Sequence, residues 1–299
     1  MRFNAEFYNQ KPCKGEWIMS NKPILIIGKH GKTGRRVVQR LQSMDLQTRA
    51  VSRSTALPFD WQQRDTWGPA LQGVASVYVT YQPDLAVPQA QSDIEAFVAM
   101  ADAAGVEHIV LLSGRGEAGA RRAEDIVINS GIRWNIVRAS WFFQNFSESF
   151  MIDGILQGEL MLPAGDVPEP FIDAEDIADV VVACLTEVKH HNRLYEVTGP
   201  RAMTFADCMA ELSQALQRPV KYTQVPLDAY LDALQQQAVP EPMQWLLKEL
   251  FTEVLDGRNS QVQQGVAEAL ARPARDFQLY LKRMVDSGCW SDEGLDQAV

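Results

Sequence analysis

The sequence contains few cysteines and histidines, and their spacing argues against the common metal and disulfide frameworks. Each type occurs four times in 299 residues, with no Cys-x-x-Cys, His-x-x-x-His or His-Glu-x-x-His motif. Zinc sites and disulfide scaffolds are recognised by such spacings. We therefore expect no metal site, and we expect a cytoplasmic location, where thiols stay reduced.

Long apolar runs and an excess of positive charge are also lacking. No stretch of about 18 apolar residues occurs, so we expect no membrane span. Lys and Arg number 28 against 38 Asp and Glu, which gives a formal net charge of −10. Nucleic acids and anionic membranes bind basic surfaces, so neither is an expected partner. Residues 1–20 lack a signal-peptide core. We interpret them as a flexible N-terminal extension or as sequence upstream of the true start.

What the sequence does contain is an alternation of strand-like and helical segments. The segment PILIIG at 23–28 predicts a buried strand, and a glycine turn and an amphipathic helix follow it. Further strands are predicted at 48–52, 57–60, 74–80, 108–113 and 132–138. Strands that alternate with helices predict an α/β fold with a doubly wound parallel sheet of the Rossmann type.

The pattern changes after residue 138. The remaining chain is mostly helical, but a helix capped by Asp173 and a strand at 194–198 are expected to return to the sheet. Ligands of such folds bind outside the carboxyl ends of the strands. We therefore predict a dinucleotide-binding Rossmann domain at 21–138 and a smaller, mostly helical substrate-cleft region at 139–299 that covers the crevice.

Three glycines follow the first predicted strand. Gly28, Gly31 and Gly34 form G-x-x-G-x-x-G. The first permits a sharp turn, the second lets backbone amides approach a pyrophosphate, and the third lets the helix pack closely on the sheet. The amides at the helix N-terminus then favour the anion. This position predicts a dinucleotide site, and a tight turn without a ligand is the alternative.

Side chains at the strand ends complete the predicted cofactor site. Ser52, Arg53 and Ser54 follow the second strand without an acid, which favours NADP(H) over NAD(H) because arginine accommodates the 2′-phosphate. A solvated surface arginine is the alternative. The candidate cofactor-binding residues are Gly28, His30, Gly31, Lys32, Thr33, Gly34, Arg53, Asp60, Thr80, Tyr81 and Ser113. For Asp60 the alternative is a loop cap, and for Ser113 it is the start of a turn.

An aromatic segment follows the sixth predicted strand. Trp141 and Phe142 could stack on the nicotinamide or the substrate, and the Asn145 amide could give direction. These three are the candidate substrate-binding residues. Ordinary core packing is the alternative, and we expect at least one phenylalanine of the segment in the core.

Several longer segments carry a family resemblance. GKHGKTGRRVVQRL, AGVEHIVLLS, VRASWFFQNFSE and LYEVTGPRAMTFAD resemble the NmrA-like atypical short-chain dehydrogenases/reductases, in the branch of the festuclavine and agroclavine dehydrogenases. The resemblance runs from about residue 22 to the C-terminus. It implies a Rossmann domain, a preference for NADP(H) and a substrate cleft under the C-terminal part. The same family contains redox-sensing regulators that bind the dinucleotide without turning it over.

The sequence lacks the proton-transfer pair of typical short-chain dehydrogenases. None of the seven tyrosines has a lysine four residues later. We therefore expect an NAD(P)H-dependent oxidoreductase that transfers hydride to a small iminium- or quinone-like acceptor, and no catalytic residue is identified. The alternatives are a non-catalytic NAD(P)-sensing regulator that acts through a protein partner and, less favoured, an isomerase or epimerase. The expected assembly is a monomer or a homodimer.

Overall fold

The computed structural model describes residues 22–291, and its centre is a six-stranded parallel sheet. The predicted N-terminal extension lies outside the described residues. The strands are β1 (Ile24–Ile27), β2 (Thr48–Val51), β3 (Ser76–Val79), β4 (His108–Gly114), β5 (Arg133–Ala139), β6 (Glu159–Leu162), β7 (Arg193–Val197) and β8 (Lys221–Gln224). The sheet order is β2-β1-β3-β4-β5-β7, and every neighbouring pair is parallel.

Eleven α-helices connect or follow these strands within the described residues. They are α1 (Gly34–Ser43), α2 (Trp67–Leu71), α3 (Pro88–Ala103), α4 (Ala118–Ile128), α5 (Ile152–Gln157), α6 (Ala174–Thr186), α7 (Phe205–Leu216), α8 (Leu227–Gln236), α9 (Glu241–Glu249), α10 (Gly265–Leu270) and α11 (Phe277–Asp286). A π-helical turn, Leu250–Val254, continues α9. Within residues 22–291, no helix has both the length and the apolar character needed to cross a membrane.

Helices cover both faces of the sheet, which confirms the doubly wound fold. Successive residues of β1 point to opposite faces. Leu25 and Ile27 pack in the layer of α3 and α4, whereas Ile26 packs with α1 and α6. Because both faces of the strand are buried, its sequence is a continuous aliphatic run and does not alternate with polar residues.

The chain after β5 builds a third core. Phe146, Phe205 and Phe277 are buried in it, together with residues of α8 and α9. The sequence patterns did not predict the two-stranded parallel sheet of β6 and β8 that borders this core. In contrast, α6 and β7 return to the main sheet as expected, and Asp173 caps α6 by accepting a hydrogen bond from the Glu175 amide at 3.0 Å.

The prediction of a strand at 57–60 is wrong. Only isolated bridges occur there, between Ser52 and Pro58 and between Asp60 and Gln63. Pro58 has no N–H to donate to a ladder. Phe59 instead packs edge-on against the Trp61 ring, with the ring centroids 5.0 Å apart. Packing of these rings therefore decides the conformation of the segment, and β2 remains the edge strand.

Candidate active site

The loop between β1 and α1 has no room for side chains at Gly28 and Gly34 and little room at Gly31. Gly28 has a φ of +84°, and a Cβ there would lie 2.5 Å from Thr80 Oγ1. A Cβ at Gly34 would overlap the Gly28 carbonyl oxygen and lie 2.8 Å from the carbonyl carbon, while one at Gly31 would lie 3.2 Å from that oxygen. The start of α1 therefore lies directly against the end of β1. Such a cradle fits a pyrophosphate at a helix N-terminus.

A cavity of about 900 Å³ begins at this loop and extends beneath the C-terminal helices. Its wall contains the glycine loop, the ends of β3, β4 and β5, the aromatic segment after β5, and side chains of α8 and α9. It opens at the carboxyl edge of the sheet, where the order of strands reverses between β1 and β3. Ligands of doubly wound folds bind at this place, and the volume suits a ligand of drug size or larger.

The cavity brings together most of the predicted cofactor-binding residues, but not all of them. Those in its wall are Gly28, Gly31, Lys32, Thr33, Thr80, Tyr81 and Ser113. Gly34 lies behind the wall, and His30 and Arg53 are exposed. The Asp60 carboxylate lies outside the wall and accepts hydrogen bonds from the Gln62 amide at 3.0 Å and from Gln63 Nε2 at 3.1 Å. Contacts of these residues with a cofactor stay predictions.

Several hydroxyl groups of the wall already donate to protein atoms. Thr80 Oγ1 donates to the Ile27 carbonyl at 3.0 Å, and the Tyr81 hydroxyl donates to Asp93 Oδ2 at 2.8 Å. Ser113 Oγ donates to Glu124 Oε1 at 2.6 Å. Ser113 is therefore held by α4, and its oxygen remains free only as an acceptor. These bonds fix the rim of the cavity before a ligand binds.

Lys32 of the glycine loop and Arg35 at the start of α1 have different surroundings. Arg35 forms an ion pair with Glu148 Oε2 at 2.6 Å, away from the cavity wall. Lys32 lies in the wall, and burial lowers its pKa. A phosphate beside Lys32 would restore the charged form, so Lys32 is the better placed of the two to bind an anion.

Beyond the glycine loop, the cavity wall is aromatic. Trp141, Phe142 and Asn145 lie in it, as does Tyr230 of α8. The Phe251 ring lies between Trp141, at 5.4 Å, and Tyr230, at 5.5 Å, measured between ring centroids. Trp141 Nε1 and the Tyr230 hydroxyl are buried and have no hydrogen-bond partner among the described residues. Buried polar atoms of this kind normally find partners, so a ligand could supply them.

The other phenylalanines of the aromatic segment belong to the core. Phe143 is 2% exposed and Phe146 is fully buried. This agrees with the expectation of at least one core phenylalanine. Ordinary core packing therefore accounts for these two rings. Phe142, in contrast, is only partly buried and faces the cavity.

Among the polar residues of the wall that were not predicted from the sequence are Asp84, Glu117 and Tyr230. Asp84 follows β3 and Glu117 follows β4, so their position after strand ends was an available signal. Burial, and after it the facing carboxyl of Asp84, raises the pKa of Glu117 well above its ordinary value. Burial also raises the pKa of Asp84. Tyr230 had no local signal, because only tertiary packing brings α8 to the cavity.

Known proteins that are similar to this chain bind or use NAD(P)H. The family model described as NAD(P)H-binding matches residues 28–188. The NAD(P)H azoreductase of Xenophilus azovorans is 31% identical over 283 residues, covering 87% of this chain and 96% of that one. The chain belongs to the NAD(P)H-binding family.

Further similarities give the branch of the family. Festuclavine synthase II of Penicillium roqueforti is 26% identical over 279 residues, covering 85% of this chain and 95% of that one. NmrA, a negative transcriptional regulator solved with NADP, shares the fold at a TM-score of 0.68 and 17% identity, covering 93% of this chain and 99% of that one. The NADPH-dependent quinone oxidoreductase of Escherichia coli shares the fold at a TM-score of 0.75 and 20% identity, covering 88% of this chain and 99% of that one. The resemblance to NmrA and to the festuclavine and agroclavine dehydrogenases, predicted from the sequence, is confirmed.

Proposed function

We propose that the protein is an NADP(H)-dependent oxidoreductase that transfers hydride to a small iminium- or quinone-like acceptor without a Tyr-x-x-x-Lys pair. The observation that carries this proposal is the continuity of one cavity from the glycine cradle to the aromatic wall. A dinucleotide bound at the cradle and an acceptor bound at the wall would share one continuous cavity. Reactive groups held together in such a space avoid competing reactions with water.

The names of the relatives support a planar acceptor. One relative is an azoreductase, and one protein of the same fold is a quinone oxidoreductase. Azo compounds and quinones are flat and accept two electrons with hydrogen. Flat acceptors suit a wall that carries Trp141, Phe142 and Tyr230, because aromatic rings stack or meet edge to face.

The preference for NADP(H) rests on Arg53. The side chain is exposed at the end of β2, and it forms no ion pair within residues 22–291. An arginine in this position can bind a 2′-phosphate, whereas the acid that would bind the 2′-hydroxyl of NAD(H) is missing. Lys32 adds a second positive charge nearer to the glycine loop.

The chain's own residues would bind, orient and enclose the reactants. The amides of the glycine loop and Lys32 would hold the pyrophosphate, and residues 139–291 would cover the acceptor and exclude water. Trp141 Nε1 and the Tyr230 hydroxyl would donate hydrogen bonds to acceptor atoms. When bound, the reduced nicotinamide supplies the hydride.

The test is turnover with defined acceptors. Purified protein is mixed with NADPH and either a quinone, an azo dye or a cationic iminium salt, and the absorbance of the reduced nicotinamide is followed. A reaction without acceptor controls for oxidation by air. We expect acceptor-dependent loss of NADPH. Tight dinucleotide binding without turnover, with equal affinity for oxidised and reduced forms, would favour the non-catalytic sensor and overturn the proposal.

A further inference from the structure

Two acidic side chains meet in the cavity wall at the carboxyl edge of the sheet. Asp84 follows β3, Glu117 follows β4, and these strands are neighbours. The two carboxyl groups lie within hydrogen-bonding range of each other. Glu117 is 5% exposed, whereas Asp84 keeps a partial opening. The pair therefore faces the cavity from the region where a nicotinamide ring would be expected.

Two glycines allow this meeting. A Cβ at Gly119, in the first turn of α4, would overlap the Ala86 carbonyl oxygen and lie 2.9 Å from Ala86 Cα. A Cβ at Gly114 would overlap the Glu117 carboxyl, with Oε1 at 2.6 Å. The Ala86 amide also donates to Asp84 Oδ1 at 2.8 Å, which fixes that carboxyl. Backbone packing at Gly119 thus brings the segments that carry the two acids together, and Gly114 leaves room for the Glu117 carboxyl.

The surroundings of the pair favour a retained proton. The charged groups that face Glu117 are Asp84, Glu124 of α4 and Glu249 of α9, all of them acids. The Arg115 guanidinium is occupied by Glu196 at 2.7 Å and by Ser140 at 3.0 Å. Glu117 Oε2 is buried and receives no hydrogen bond from an N–H or hydroxyl group of the described residues. Two touching carboxyls in such a place cannot both ionise easily, so they titrate as a pair.

A second observation indicates that a polar ligand binds in the same cavity. Trp141 is 8% exposed, and its Nε1 is buried without a partner within residues 22–291. The Tyr230 hydroxyl is likewise buried without a hydrogen-bond partner among these residues. These donors and the acid pair belong to one wall. A ligand that accepts hydrogen bonds from the aromatic side would lie within the space that the acid pair also faces.

We propose that Asp84 and Glu117 hold one shared proton and deliver it to the acceptor that receives the hydride. The inference rests on the proposed function. A neutral acceptor that receives a hydride, which a bound reduced nicotinamide would supply, becomes an anion and needs one proton. The carboxyl O–H bond breaks, a new O–H or N–H bond forms on the acceptor, and water later returns the proton through the opening at Asp84. The pair thus replaces the proton donor that typical short-chain dehydrogenases have in their tyrosine.

The first test does not depend on turnover. The infrared spectrum of the protein without dinucleotide is followed from acid to alkaline pH for wild type, Glu117→Gln and Asp84→Asn. Glu95→Gln, which removes an exposed carboxylate of α3, is the matched control. We expect the wild type and the control to keep one protonated carboxyl at neutral pH in addition to Glu169, whose pKa burial raises to about 7 and which contributes equally to every variant. The additional signal should disappear in Glu117→Gln and titrate at lower pH in Asp84→Asn, where burial alone still raises the pKa of Glu117. A wild-type spectrum at neutral pH that matches that of Glu117→Gln would overturn the shared proton.

The second test compares two acceptors in single-turnover experiments. A neutral para-benzoquinone needs hydride and a proton, whereas a cationic dihydroisoquinolinium salt needs hydride alone. In Glu117→Gln we expect a loss of about 10²–10⁴-fold in rate with the quinone at neutral pH. Because reduction of the iminium salt needs no proton, its rate in Glu117→Gln should fall far less than the rate with the quinone. Equal losses for both acceptors would overturn the proposal.

Failure of the proposed function would look different. A wild type that binds NADPH but reduces neither acceptor would overturn the function and the delivery step together. The infrared signal would then still show whether the pair holds a proton. Proton delivery would also be overturned if Glu117→Gln raised the Michaelis constant for the cationic salt alone and left the rate with the quinone unchanged. That result would mean that the pair binds the cation through its negative charge.

Discussion

The Glu117 carboxyl occupies the space that a side chain at Gly114 would fill. Alanine at position 114 would therefore push this carboxyl away from Asp84 and toward the open cavity. We expect Gly114→Ala to lower the pKa of the shared proton, because separation removes both the burial and the facing acid that raise it. The measurement is the infrared pH titration described above.

The cost in stability should be small for this change. The atoms that must move are the far end of a flexible side chain, so we expect a loss in the free energy of unfolding of at most about 1–3 kcal/mol. Gly68→Ala is the matched control, since the nearest atom to a Cβ there is Met100 Sδ at 4.0 Å. A titration that is unchanged in Gly114→Ala would contradict the assigned position of the carboxyl.

Gly34→Ala should damage the dinucleotide cradle. The new Cβ would overlap a backbone carbonyl, that of Gly28, which cannot turn aside as a side chain can. We expect a loss of about 1–3 kcal/mol in the free energy of unfolding. We also expect at least about tenfold weaker NADPH binding by calorimetry, which corresponds to about 1.4 kcal/mol. In Gly165→Ala, where the nearest atom to a Cβ is Gln224 Nε2 at 3.5 Å, affinity should be unchanged.

Arg53→Ala should separate the two dinucleotides. A charge-assisted bond to a phosphate contributes about 1.5–3 kcal/mol, so NADP(H) affinity should fall about 10- to 150-fold. NAD(H) affinity should change little, because it has no 2′-phosphate. Arg258→Ala, a change at another exposed arginine, should alter neither affinity. Similar losses for both dinucleotides would refute the assignment of Arg53.

Local features of the fold were predictable from the sequence. The aliphatic run of β1, the three glycines and the cap at Asp173 each act within a few residues, so their patterns are visible in one segment. The same holds for the family motifs. The packing of the chain after residue 139 was harder to predict from the sequence. There β6 and β8 pair across about sixty residues of chain, as in Glu159 with Lys221.

The candidate site was predictable only in part, for the same reason. The glycine loop is one short segment, and its residues were found. The acid pair joins residues 84 and 117, and Tyr230 arrives from a helix more than a hundred residues later. No periodicity links such positions. A proton donor of this kind has no sequence motif, although a buried carboxyl can hold a proton at neutral pH when a second acid faces it.

Glu169 should make stability depend on pH in a definite direction. It is 1% exposed, and burial raises its pKa to about 7 despite the opposing effects of Arg115 and Ser140. The unfolded chain releases this proton near pH 4.5, so the folded state holds more protons between about pH 4.5 and 7. Its contribution to the free energy of unfolding therefore falls as the pH rises through that window, by on the order of 3 kcal/mol.

Denaturant unfolding of Glu169→Gln at several pH values checks this. Relative to wild type, the variant should gain stability steadily from about pH 4.5 to 7 and no further above that range. Glu95→Gln, at an exposed position, should run parallel to wild type. Parallel curves for Glu169→Gln as well would contradict a raised pKa at this carboxyl.

Tyr230 and Tyr280 are two buried hydroxyls with opposite expected roles. The Tyr230 hydroxyl has no partner among the described residues and belongs to the cavity wall. The Tyr280 hydroxyl donates to Ser147 Oγ at 2.7 Å and lies outside that wall. Tyr230→Phe should therefore leave the free energy of unfolding unchanged or raise it by up to about 1–3 kcal/mol, because an unsatisfied polar group is removed.

Acceptor binding, unlike stability, should be weakened by Tyr230→Phe and not by Tyr280→Phe. Tyr230→Phe should raise the Michaelis constant for a quinone by roughly 2- to 10-fold, as expected for a lost hydrogen bond of about 0.5–1.5 kcal/mol. Tyr280→Phe should leave that constant unchanged and lose about 0.5–1.5 kcal/mol of stability. Steady-state kinetics and denaturant unfolding of both variants decide the point. A Michaelis constant that is unaffected in Tyr230→Phe would mean that the acceptor does not reach α8, and the aromatic wall would then end at Trp141.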